Sequence, residues 1–194
     1  MGGTFDPIHI GHLVTADAVR QEFALEKVLF VPACDPPHKQ NLPVTPASHR
    51  YNMTVMATYS NPFFFVSDIE LKRPGLSYSV DTIRALLDEY GTETDIYFIT
   101  GIDAVRELPT WHHIHEMLDI CHFVAATRPG TVDTLDSVIA FFGEKGRERI
   151  HRLATPELEI SSTDIRDRVR KGLTIKYIVP ESVENYIVKE QLYC

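Results

Sequence analysis

The sequence predicts an α/β protein built on a doubly wound parallel sheet and folded as a single domain over residues 1–194. Three observations predict it. Short apolar, β-rich runs alternate with stretches of helical periodicity, and strands separated by helices pair in parallel. Of the 194 residues, 44% are hydrophobic and 24% charged, the balance of a chain that buries a full core. No internal repeat, low-complexity tract or linker divides the chain.

The elements follow in order. Ala16, Val19 and Phe23 recur at helical spacing, so Leu13 to Phe23 is expected to be a helix. Lys27 to Ala33 (KVLFVPA) is rich in β-formers and reads as a strand stopped by proline. Pro36 to Pro46 holds four prolines and no apolar period, which makes it a loop. Ser48 to Tyr59 suits a helix and Phe63 to Val66 a buried strand. Val80, Ile83, Leu87 and Tyr90 share one helix face, and Gly91 stands where a helix-ending glycine belongs. Asp95 to Thr100 (DIYFIT) and Cys121 to Ala126 (CHFVAA) are strands, the second closed by Arg128-Pro129-Gly130. Leu135 to Phe142 is helical, Thr163 to Lys171 forms a late helix ended by Gly172, and Pro180 opens the last one. In open parallel sheets ligands gather beyond the carboxyl ends of the strands, so the loops after strands are where chemistry belongs.

Bulk properties narrow the function. A formal net charge of −8 argues against generic affinity for nucleic acid or anionic membranes but allows a local cationic pocket. Cys34, Cys121 and Cys194 form no CxxC pair and no disulfide framework, so a reducing cytoplasm is expected. No apolar run approaches the ~20 residues of a membrane helix. The N-terminus has no signal-peptide pattern, and Asp6 stands where a myristoylation motif needs Ser or Thr.

Neither GxxxxGK[ST] nor GxGxxG occurs, which removes P-loop enzymes and nicotinamide-dependent dehydrogenases. The stretch GGTFDPIHIGHL, Gly2 to Leu13, offers another phosphate device. Pro7 turns the chain after Asp6. Gly11 allows close backbone approach, and His12 falls at the start of the first helix. A helix N-terminus presents free N–H groups and partial positive charge, so His9 and His12 can both face an anion there. Near the other end, Ser161, Ser162 and Thr163 precede the late helix, a second anion-ready terminus, and Arg166 lies one turn in with a planar fork suited to phosphate.

Together these stretches resemble the (H/T)xGH and ISSTxxR signatures of the nucleotidyltransferase superfamily, here GGTFDPIHIGH and ISSTDIR. Class I aminoacyl-tRNA synthetases share the first signature, but no KMSKS-type loop occurs. Pro36-Pro37-His38-Lys39, Ser77 to Thr82 (SYSVDT), Gly101-Ile102-Asp103, Thr110-Trp111 and Arg128-Pro129-Gly130 resemble, in kind and order, motifs of the bacterial nicotinate-mononucleotide adenylyltransferases. The resemblance runs from Gly2 to the last helix and implies a Rossmann-like nucleotidyltransferase fold. It implies adenylyl transfer from ATP to nicotinate mononucleotide, with Mg²⁺ accompanying the ATP. The partners it implies are those two small molecules, and the oligomeric state stays open, a homo-oligomer included.

The resemblance also implies residue roles. Gly3, Thr4 and Phe5 line the ATP site through backbone groups, and His9, His12 and Arg166 hold the phosphates with Ser161, Ser162 and Thr163. Lys39 adds positive charge near a substrate phosphate, and Arg128 belongs to the same ATP-binding set. Asp103 meets the adenosine ribose and Gly101 belongs to the same binding set, while Thr82 and Trp111 frame the nicotinate ring. Taken alone, Trp111 also reads as a packing residue, Asp103 as a helix cap and Lys39 as a solvated lysine. His112 and His115 would share a helix face, but no partner has zinc spacing, so surface histidines are expected. Family members carry an apolar strand before the Gly-Gly turn. Here only Met1 precedes it, so the first strand is expected to be truncated and Met1 to be an internal methionine of a longer chain. Two other functions stay open: a transferase of the same fold with another phosphorylated acceptor, and a nucleotide-binding sensor with little turnover.

Overall fold

The computed structural model describes residues 1–36, 43–127, 132–155 and 158–194, to which all structural statements below refer. In chain order the elements are β1 (Gly2–Gly3), α1 (Ile10–Glu22), β2 (Val28–Pro32), α2 (Ala47–Thr58), β3 (Phe64–Val66), α3 (Ile69–Lys72), α4 (Ser79–Tyr90) and β4 (Tyr97–Gly101). There follow α5 (Ile102–Arg106), α6 (Ile114–Ile120), β5 (His122–Thr127), α7 (Val132–Phe141), α8 (Gly143–Arg149), β6 (Ile150–Ala154), α9 (Ser162–Arg170) and α10 (Glu181–Lys189). They form two compact units, one of residues 3–76 with 158–194 and the other of residues 1–2 with 77–157.

The first unit is organised on the sheet β1-β2-β3, in which β2 and β3 run parallel with Val28 opposite Phe64. Helix α1 leads from β1 to β2 and buries Ala16 and Val19, the stripe expected from its periodicity. It begins one turn earlier than the apolar pattern suggests. The reason is local: His9 is extended (φ −144°) and caps the helix, so the polar residues Gly11 and His12 already lie in the first turn. Helix α2 leads from β2 to β3 and buries Arg50, Met53, Thr54 and Ala57, an arginine in line with a buried stripe.

The second unit holds the sheet β4-β5-β6, parallel throughout, with Tyr97 opposite His122 and Phe123 opposite Ile150. Strand β5 is central, and Phe123, Val124 and Ala125 are wholly buried, as a strand covered on both faces requires. Val80 and Ile83 of α4 pack in the same core and Leu87 lies partly buried against it, but Tyr90, read on the same face, is 42% exposed at the last turn of the helix, and Leu86 is buried instead. Helices α5, α6 and α8 and strand β6 escape the sequence reading. Their runs are short, and β6 (IHRLA) alternates burial with exposure as an edge strand does. Gly146 shows how tightly α8 sits. A methyl group there would lie 2.3 Å from the Ile139 carbonyl oxygen.

Candidate anion site

The site lies in the first unit, where the chain leaves β1. Phe5 takes a left-handed backbone conformation (φ +50°), rare for a bulky residue, and its ring is buried. Gly3 is required beneath it, because a Cβ there would come 2.9 Å from the Phe5 ring. The Asp6–Pro7 peptide is cis. The turn delivers His9 to the N-cap of α1, and His12 sits in the first turn behind the edge of Phe5, 5.1 Å between ring centres.

The two imidazoles stack at 3.6 Å. Gly11 also makes room for that stack, since a Cβ there would approach His9 Nδ1 to 3.1 Å. The backbone N–H of His9 donates to His12 Nδ1 at 3.2 Å. That bond fixes the tautomer: neutral His12 carries its proton on Nε2. His9 Nδ1 is buried and makes no hydrogen bond among the described residues. An unused lone pair costs less than an unused N–H, so the His9 proton also belongs on Nε2. Burial lowers the pKa of His9 to about 4. Burial, and then the charge of His9, push His12 well below the usual histidine range. Both rings are therefore neutral at pH 7 and offer N–H dipoles, not full charges.

The late motif closes on the early one. Ser161 caps α9, accepting the Asp164 N–H at 3.1 Å. Ser162 donates to the Pro7 carbonyl at 2.9 Å. Arg166 donates from Nη1 to the Asp6 carbonyl at 2.7 Å and from Nη2 to Thr163 Oγ1 at 3.3 Å. The two signatures, 155 and 160 residues apart at these bonds, thus build one structure. Under it lies Arg50, 1% exposed. Its Nη1 donates to the Thr4 carbonyl at 2.7 Å, Nε to Thr45 at 2.7 Å and Nη2 to Cys34 at 3.1 Å.

The remaining predicted residues lie in the second unit or outside the described residues. Lys39 and Arg128 are outside them. In the second unit, Gly101 caps α5 and Asp103 lies exposed in its first turn, meeting Arg106 at 3.3 Å. Asp103 is therefore not a helix cap. Thr82 is buried and its hydroxyl donates to the Tyr78 carbonyl at 3.4 Å. Trp111 packs edge-on against Phe98 and Phe123 of the core. His112 and His115 do not share a helix face: α6 starts at Ile114, after His113 takes a left-handed turn. His115 lies against Phe142 and His112 against Tyr78.

Sequence reasoning missed three participants. Asp6 was given only a turn role, yet it is buried and central to the site's bonding. Arg50 had a legible signal, its register with Met53, Thr54 and Ala57. Tyr193, which reaches Asp6 from 187 residues away, had none.

Among the described residues no group of three or more His, Cys, Asp and Glu side chains is placed to hold a metal, and no helix is long and apolar enough to cross a membrane. What the turn and α9 offer is imidazole, hydroxyl and guanidinium, donors for phosphate oxygens. A parallel α/β chain that bonds its first helix start to a late helix start in this way has the build of a nucleotidyltransferase.

Comparison with known proteins agrees. The cytidylyltransferase-like family model matches residues 1–168. A Moorella thermoacetica protein named "Probable nicotinate-nucleotide adenylyltransferase" is 55% identical over all of this chain and 89% of its own length. A Thermoanaerobacter protein of the same name is 54% identical over all of this chain and 92% of its own. The chain belongs to the cytidylyltransferase-like family, in its nicotinate-nucleotide adenylyltransferase branch. Two structures of the Plasmodium falciparum nicotinic acid mononucleotide adenylyltransferase, complexed with NaAD and with APC, match at TM-scores of 0.81 and 0.78. Each covers 99% of this chain and 94% of its own, at 21% and 20% identity, a likeness of fold.

Proposed function

We propose that this chain transfers the adenylyl group of ATP to nicotinate mononucleotide, giving nicotinate adenine dinucleotide and pyrophosphate. The observation that carries the reading is the direct bonding of the Asp6–Pro7 turn to α9, which brings Ser162, Thr163 and Arg166 to the turn that leads into His9 and His12. The names and coverage of the relatives supply the acceptor. Sequence order supports one functional domain, because residues 77–157 are inserted within the first unit and the family match crosses both. The scattered cysteines support a cytoplasmic setting.

The acceptor is already an anionic phosphate, so no general base is needed. An acceptor phosphate oxygen attacks the α-phosphorus of ATP. The bond to the bridging oxygen breaks, and the electron pair leaves with pyrophosphate. The difficulty is repulsion between anions and the charge that collects on the leaving group. The neutral imidazoles meet it with Nε2–H donors fixed in direction by stacking and by the His9 N–H bond, and Arg166 adds the full positive charge. Phe5 shields one edge of His12. Ser161 serves by starting α9, and Thr4 by its place in the Arg50 clamp. Lys39 and Arg128 would add charge around the phosphates. Asp103 remains the proposed ribose contact, with Gly101 in the same binding set, and Thr82 and Trp111 remain the proposed ring contacts. Magnesium would arrive on the triphosphate, held mostly by phosphate oxygens and water, since among the described residues the site offers donors and no carboxylate set.

The test is pyrophosphate release from ATP with a panel of phosphorylated acceptors, for the parent chain and for His12→Ala. Nicotinate mononucleotide should be the preferred acceptor, and His12→Ala should keep its fold while kcat falls on the order of 10²–10³-fold. Preference for another acceptor would reassign the substrate. Tight ATP binding without release would make the protein a sensor.

A further inference from the structure

We propose that Tyr193 is a positioning residue for adenylyl transfer: its hydroxyl holds the Asp6 carboxylate and, through the Asp6 backbone, fixes where Arg166 points. This rests on the reaction proposed above. Tyr193 lies beyond α10, in a segment that no motif marks. Its hydroxyl donates to Asp6 Oδ1 at 2.8 Å. Asp6 Oδ2 accepts the Thr45 N–H at 3.2 Å, and the Asp6 carbonyl accepts Arg166 Nη1 at 2.7 Å. One residue, 5% exposed, thereby ties the segment beyond α10, the segment before α2 and α9 to the phosphate turn.

Packing alone does not call for a hydroxyl at this position, because phenylalanine would fill the same space. The hydroxyl matters because a buried carboxylate is costly unless its oxygens are bonded, and Tyr193 supplies one of the two bonds it makes here. Without that bond Oδ1 must turn to find another donor, and the Asp6 peptide moves with it. The Asp6 carbonyl is the shorter of the two anchors of Arg166, the other being the 3.3 Å contact to exposed Thr163. A displaced Asp6 therefore moves the Arg166 guanidinium, a full positive charge held at the turn. Small misplacements of a stabilising group lower the rate more than they lower binding.

The experiment is a double-mutant cycle on the full chain, with Tyr193→Phe, Arg166→Lys and the pair. Pyrophosphate release gives kcat and KM, and thermal melts follow the fold. Tyr193→Phe should lower kcat about 5–10-fold, with KM for both substrates within about 2-fold, in a chain that still melts cooperatively with a Tm lower by only several degrees. The double variant should be no slower than Arg166→Lys alone, because Tyr193 acts through Arg166. Parent-like kcat in Tyr193→Phe, or losses that multiply in the pair, would overturn the positioning role while leaving the reaction standing. A parent chain that releases no pyrophosphate with any acceptor would overturn the reaction and the positioning role together. Cys194→Ser, exposed and next in sequence, is the control and should match the parent.

Discussion

Replacing Arg50 with methionine probes the foundation of the site without touching its surface. The guanidinium is 1% exposed and donates three hydrogen bonds, to Thr4, Thr45 and Cys34, at 2.7, 2.7 and 3.1 Å. Hydrogen bonds from a charged group contribute about 1.5–3 kcal/mol each. Three such bonds give a gross ~5–9 kcal/mol. Against that stands the cost of burying the charge, several kcal/mol, which burial expresses by lowering the Arg50 pKa and which Asp6 only partly offsets. Methionine restores the volume but orphans three carbonyls, so a net loss of ~3–5 kcal/mol is expected. For a chain of this size each kcal/mol moves Tm by ~2–4 °C, which predicts a drop of ~6–20 °C in thermal melts followed by circular dichroism. Arg50→Lys, with one point donor in place of a fork, should recover less than half of the loss. A Tm for Arg50→Met within about 2 °C of the parent would refute the clamp.

Other expectations follow from the same geometry. His9 is buried neutral, so its folded pKa lies below its unfolded value and the unfolded chain takes up the proton first. Its contribution is complete above about pH 6.5 and is lost as the pH falls toward 4. At ~1.4 kcal/mol per pH unit, that gap is worth roughly 3 kcal/mol, measurable as urea midpoints across pH and flattened in His9→Gln. A flat parent profile between pH 4 and 6.5 would mean that His9 is as easily protonated in the folded chain. Gly146→Ala would press a methyl group against the Ile139 carbonyl and should cost ~1–3 kcal/mol, read from the same melts. Burial pushes the Cys121 thiol up to about 12, so a thiol reagent at pH 8 should label exposed Cys194 quickly and Cys121 only on unfolding, as peptide mapping would show.

How much was legible depended on the range of the forces involved. The α4 face and the β5 run were readable because burial imposes its period directly on Val80, Ile83, Phe123 and Val124. Elements such as α5, α6, α8 and β6 carry too few apolar positions to declare a period. The early and late phosphate motifs were readable because helix termini need particular residues at fixed offsets, and Ser161 does cap α9 as that rule requires. Their meeting around one phosphate group was what the resemblance implied, whereas the direct bonds Ser162–Pro7 and Arg166–Asp6 are a finding of the structure. The second service of Gly11 was not legible, because no local pattern says that the His9 ring folds back over it. Tyr193 stayed hidden for a plainer reason: a single long-range hydrogen bond leaves no periodic trace.

The reach of Ser162, Arg166 and Tyr193 back to the opening turn has a consequence for synthesis. Synthesis runs from the N-terminus, so His9 and His12 precede their braces, which follow the turn residues they bond by 155, 160 and 187 residues. A nascent chain therefore carries both imidazoles before their cradle is built.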